Sequence, residues 1–178
     1  MNKEKHIMVD IETLANCSNP VICSIGAVKF DINTGEKFET FYKIIDIQSC
    51  IDLGMRVMGS TIMWWLQQSE EARNELCSSK RIPLEKALTE LYAFCDKESF
   101  IWAESPRFDL GFLSDAYDNI KVNIPWDFRK ERDVRTIVGE CPEIKEKYLN
   151  KGIIHNALDD CLKQIDYLVE TRNKVIRI

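Results

Sequence analysis

Two acids one residue apart, Asp10 and Glu12, follow the apolar run Ile7, Met8 and Val9. Side chains at i and i+2 of a strand point to the same side, so both carboxylates converge on one point at the end of a first strand. Oxygen donors arranged in this way suit hard divalent cations such as Mg²⁺ or Mn²⁺. The triplet Asp96, Lys97, Glu98 has the same spacing but reads as a solvated loop after a helix. Asp10 differs because it follows a buried run, where an unpaired carboxylate is costly.

Two further places carry acids of interest. Asp109 stands at the start of a predicted helix, just after a predicted strand. An acid there is stabilised by the helix dipole without any catalytic role. In open α/β sheets, however, functional groups gather beyond the ends of central strands. The other place is the segment His155 to Asp160. Asn156 suits the cap of a last helix, and Asp159, three residues on, suits a capping-box bond back to it. That leaves Asp160, beside the helix's apolar stripe, as the acid free for a metal. His155 lies just outside the helix; a lone histidine there is commonly a surface residue.

The elements that must position these groups follow from periodicity and turn residues. Residues 6–10, 21–31 and 38–45 read as three strands joined by short connections, an antiparallel meander. Ser60 is the expected cap of a helix over 61–77, and Pro83 suits the first turn of one reaching Cys95. Residues 99–103 read as a fourth strand and 107–118 as a helix. A short fifth strand is expected within 120–133, and a helix from Asn156 to about Asn173. This order predicts a single α/β domain over residues 1–178, with a mixed sheet flanked by helices.

Composition narrows the function classes. The chain has 178 residues, 45% hydrophobic and 30% charged, which suits one domain with a real core. The seven cysteines are scattered without any Cys-x-x-Cys, which argues for reduced core residues over a zinc site. No stretch is long and apolar enough for a membrane span, and the expected location is the cytoplasm. A net charge of −5 speaks against non-specific coating of DNA but allows an enzyme that holds a strand end.

Taken together, three segments resemble the DEDDh exonucleases of the ribonuclease H-like superfamily. The first is Asp10-Ile11-Glu12-Thr13-Leu14. The second is residues 102–109, ending in Phe108-Asp109. The third is His155, four residues, then Asp160. Residues 61–73 and 132–136 resemble phage-type members of the T4 exonuclease A group and related exoribonuclease-like proteins. One departure is Glu104-Ser105-Pro106, where relatives carry a Gly-containing turn.

The resemblance implies a five-stranded mixed sheet, a three-strand antiparallel meander plus two parallel strands. It also implies a 3′→5′ exonuclease that releases 5′-mononucleotides. Asp10, Glu12, Asp109 and Asp160 would hold two Mg²⁺ or Mn²⁺ ions, with His155 as proton acceptor. The expected partners are 3′ ends of single-stranded DNA or of overhangs, with RNA as the alternative. Thr13 and Leu14 are candidates to touch the terminal nucleotide, Leu14 otherwise serving as packing. Spacing of about 100° per helical residue puts Ile62, Trp65 and Leu66 on a core stripe and leaves Trp64 as the stacking candidate. Arg135 either holds a phosphate or pairs with Asp133. The Trp64–Trp65 helix is also a candidate homodimer surface. A non-catalytic interaction module on the same fold is the competing reading, and the presence of all five positions speaks against it.

Overall fold

The computed structural model describes residues 6–149 and 151–176. Its centre is a five-stranded sheet built from β1 (His6–Thr13), β2 (Ile22–Phe30), β3 (Lys37–Ile44), β4 (Phe100–Ala103) and β5 (Glu131–Asp133), in the order β3-β2-β1-β4-β5. The first three strands form the antiparallel meander, while β4 and β5 run parallel to β1. The first strand continues past residue 10 to Thr13, with a register shift at Glu12/Thr13, so both acids lie on paired backbone.

Alternation along β1 divides its side chains between two cores. Ile7, Val9 and Ile11 join the larger cluster, with Leu84, Leu88 and Leu91 of α4 (Leu84–Phe94) and Leu110 and Leu113 of α5 (Asp109–Asn119). Met8 joins the opposite cluster, with Cys161, Ile165 and Leu168 of the last helix. Asp10 and Glu12 share the parity of Met8 and so turn to the last helix's side. Burial on both faces explains why β2 is apolar except at Ser24 and Lys29, and why the sheet holds its register.

Several helices differ from their sequence expectation. A short helix, α1 (Ile47–Asp52), fills the stretch after β3. The single helix expected over 61–77 is two, α2 (Gly59–Leu66) and α3 (Glu70–Leu76). Met58, not Ser60, precedes the first. Ser69 starts the second by accepting the Ala72 N–H at 3.2 Å, with Glu70 and Glu71 in its first turn favouring a fresh helix start. Two further short helices, α6 (Val134–Val138) and α7 (Pro142–Glu146), follow β5. The last helix, α8, runs from Ala157 to Ile176.

The packing of α8 on β2 depends on Gly26, paired with Asp10 across the β1–β2 ladder. A Cβ there would lie 2.4 Å from the Ala157 carbonyl group. The absent side chain lets the first turn of α8 sit directly on the sheet, and this brings its acids to those of β1. Among the described residues, no helix is long and apolar enough to cross a membrane.

Candidate active site

At the end of β1, the first turn of α5 and the first turns of α8 meet around a cleft of about 380 Å³. Asp10, Glu12, Asp109, His155 and Asp160 all line it. One ligand atom each from Glu12, His155 and Asp160 lie within 4.8 Å of one another. The five residues that the motifs singled out, spread over most of the chain, are neighbours in space.

Four of the five are held by local chemistry. Asp10 Oδ1 accepts from Gln164 Nε2 at 2.7 Å. Asp109, only 4% exposed, accepts from the Ser105 N–H at 3.2 Å and from the Ile11 backbone. Asp160 pairs with Lys163, one turn along α8. Asn156 caps α8, its side-chain oxygen accepting the N–H groups of Leu158 and Asp159 at 3.1 Å. Asp159 does not bond back to that cap. It accepts the Ile153 N–H at 2.7 Å and so ties down the preceding loop. The loop delivers His155 with φ +64°, a left-handed backbone that histidine adopts more readily than most residues.

The electrostatics are those of a site short of positive charge. Burial pushes the Asp10 carboxyl well above its ordinary range, and Asp109, Glu12 and Asp160 push it further. Glu12 is raised by burial and then by Asp160 and Asp109, with Lys163 opposing. Burial raises Asp109 and Asp160 as well. His155 is lowered, first by burial, so it stands neutral at neutral pH. A cluster of hard oxygen donors under mutual repulsion fits divalent cations, whose charge offsets the repulsion.

The remaining sequence candidates separate. Thr13 is buried, its hydroxyl donating to Ala15 O at 2.7 Å, and it lines a second hollow with Glu12 and Trp64. Leu14 belongs to the core, and neither hollow counts it among its walls. Trp65 is core, donating its indole N–H to Thr13 O at 2.9 Å, but Ile62 and Leu66 stay exposed because α2 ends at Leu66. Trp64 stands edge-on to His155, ring centroids 4.7 Å apart. Arg135 pairs with Asp133 at 2.8 Å and does not line the cleft.

Two cleft residues beside the acids escaped the motif reading. Lys163 and Gln164 fall three and four positions after Asp160, the same helix face, a signal present once the helix start is known. Glu104 accepts from Lys145 of α7 and, at 2.6 Å, from the Tyr167 hydroxyl of α8. It joins the β4–α5 turn to both helices in place of the glycine-containing turn.

This sheet topology and this convergence of four carboxylates with a histidine define a 3′→5′ exonuclease of the DEDDh type. A family model described as the 3′-5′ exoribonuclease Rv2179c-like domain matches residues 5–171, and the chain belongs to that family. An exodeoxyribonuclease of Enterobacteria phage T4 is 24% identical over 195 residues, covering 89% of this chain and 85% of its own. The nuclease domain of 3′hExo, a DEDDh family member solved bound to rAMP, superposes with a TM-score of 0.63 at 15% identity, over 97% of this chain and 94% of its own. The Mg²⁺- and Mn²⁺-bound form of S. pombe Pop2p gives 0.66 at 13% identity, over 96% and 84%.

Proposed function

We propose that the chain shortens single-stranded nucleic acid from its 3′ end, releasing 5′-mononucleotides, with Asp10, Glu12, Asp109 and Asp160 as ligands of two divalent ions and His155 as proton acceptor. The observation that carries this reading is the cleft itself, where four carboxylates repel one another around a neutral imidazole. Mg²⁺ and Mn²⁺ are the proposed ions, from the oxygen-rich donor set and from the bound form of Pop2p. When bound, such ions supply activation of water and stabilisation of charge on the phosphoryl and leaving oxygens.

The chain's own residues divide the remaining work. Asp10, oriented by Gln164, stands centrally among the acids. His155 accepts the proton of the attacking water; its lowered pKa keeps it in the accepting form. Lys163 neutralises part of the Asp160 charge. The hollow walled by Thr13 and Trp64 opens beside the acids and is proposed for the terminal nucleoside. A single DNA strand is the proposed substrate, since the T4 relative is an exodeoxyribonuclease. RNA is the second reading, favoured by the exoribonuclease description of the family.

The test is hydrolysis of matched 3′-hydroxyl DNA, RNA and 3′-overhang substrates with Mg²⁺ or Mn²⁺. Stepwise release of 5′-mononucleotides is expected, abolished by chelation and by Asp10→Ala. His155→Ala is expected to lower kcat by about 10²–10⁴ while metal binding persists. Activity indifferent to both chelation and Asp10→Ala would sink the proposal.

A further inference from the structure

Three hollows meet at the Phe108 side chain. It walls the acid cleft, the hollow of Thr13 and Trp64, and a third hollow of about 580 Å³. The third also shares Ser105 with the cleft and Asn16 with the second hollow. Its other walls include Ser18, Phe112 and Arg107. A strand held at the acids therefore has a continuous path into it.

The charges along this path are uneven. Lys145 and Lys163 line the acid cleft, but Glu104 and Asp160 already hold them. Arg107 is exposed and makes no hydrogen bond or ion pair with any described residue. Asp115, an acid in the same hollow, has one carboxylate oxygen engaged by the Asn19 N–H at 2.7 Å. A phosphate can take Arg107 without first breaking an ion pair. On the far side of His155 lies a smaller hollow of about 290 Å³, walled by Glu71 and without a lysine or arginine. A polyanion is repelled there and attracted at Arg107.

We propose that the Arg107 hollow is a second nucleotide subsite, in which the guanidinium binds the phosphate on the 5′ side of the penultimate nucleotide of a single strand. It rests on the exonuclease reading and adds the route by which the uncut strand leaves. The scissile phosphate lies at the acids and the terminal nucleoside in the Thr13 hollow. The adjoining Arg107 hollow receives the next phosphate, with Asn16 and Ser18 offering further polar contacts. An arginine suits this task because its planar fork matches phosphate oxygens in pairs.

The test compares kcat/KM on three substrates: a dinucleotide, whose only phosphodiester is the scissile one, a tetranucleotide, and the same tetranucleotide with a neutral methylphosphonate at the proposed phosphate. Arg107→Ala is expected to lower the tetranucleotide-to-dinucleotide ratio by about tenfold, the size of one charged hydrogen-bonded contact. With the methylphosphonate substrate this extra loss disappears. The slope of log affinity against log salt for a single strand falls by about 0.7, the value of one phosphate contact, and Arg107→Lys restores it. Equal loss on all three substrates, or no loss on any, overturns the subsite. A wild-type protein inactive on every substrate overturns the exonuclease reading instead. The subsite is then judged by single-strand binding alone, where an unchanged salt slope in Arg107→Ala rejects it.

Discussion

Asp10 is buried among three other acids. Its carboxyl is raised by burial and by three neighbouring acids, so the folded protein binds a proton there more tightly than the unfolded chain. Stability linked to it is fully present below the ordinary carboxylate range, about pH 4, and is lost as pH rises toward the raised folded value. Asp10→Asn removes that loss. Thermal unfolding of the metal-free protein should therefore show Asp10→Asn more stable than wild type at neutral pH, the gap closing as pH falls to about 4. A gap independent of pH would refute this account. The acids and the histidine that line the cleft were singled out in the chain by strand parity, by helix position and by resemblance to the family's motifs. Lys163 and Gln164 were not, since a lysine and a glutamine on a helix face mean nothing until the acid beside them has a role. Leu14 and Trp64 show the limit from the other side. One turned into the core and the other against His155, outcomes set by tertiary packing and not by spacing.

At the scale of elements, the decisive contact is α8 on β2. Gly26→Ala forces a Cβ into the Ala157 backbone, which cannot rotate away as a side chain would. Overpacking of this kind costs about 1–3 kcal/mol, and for a chain of this size each kcal/mol lowers Tm by roughly 2–4 °C. Because α8 also carries Asp160, activity should fall further than the loss of folded protein explains, measured at a temperature where the variant remains folded. A variant with reduced Tm but full activity would show that α8 adjusts without moving its acids. The strands were legible because apolar runs and turn residues mark them. The break within 61–77 was less so. The apolar run ends at Leu66, but the polar residues after it are tolerated within a helix, and only the Ser69 cap with its two following acids marks a second start. The short helices α6 and α7 hold five residues each, too few for periodicity to register.

Across the whole molecule, the mixed sheet followed from the order of elements, while the pairing of β4 beside β1 rests on burial from both faces. That pairing makes β1 the middle strand, covered by neighbours on either edge and by a core on either side. His155 has no such cover. Its loop is tied by single bonds, Ile153 N–H to Asp159 at 2.7 Å and Asn156 N–H to the Ile153 carbonyl at 3.3 Å. The two halves of the site therefore keep different clocks. Amides of β1 should exchange with solvent only through global opening, and those of residues 152–155 through much smaller fluctuations. In dilute urea, cleavage should fade while Mn²⁺ is still captured, and hydrogen exchange read beside both would show it; simultaneous loss would contradict it. At the edge of its stability, the protein would then be a nuclease that grips its metal and has stopped cutting.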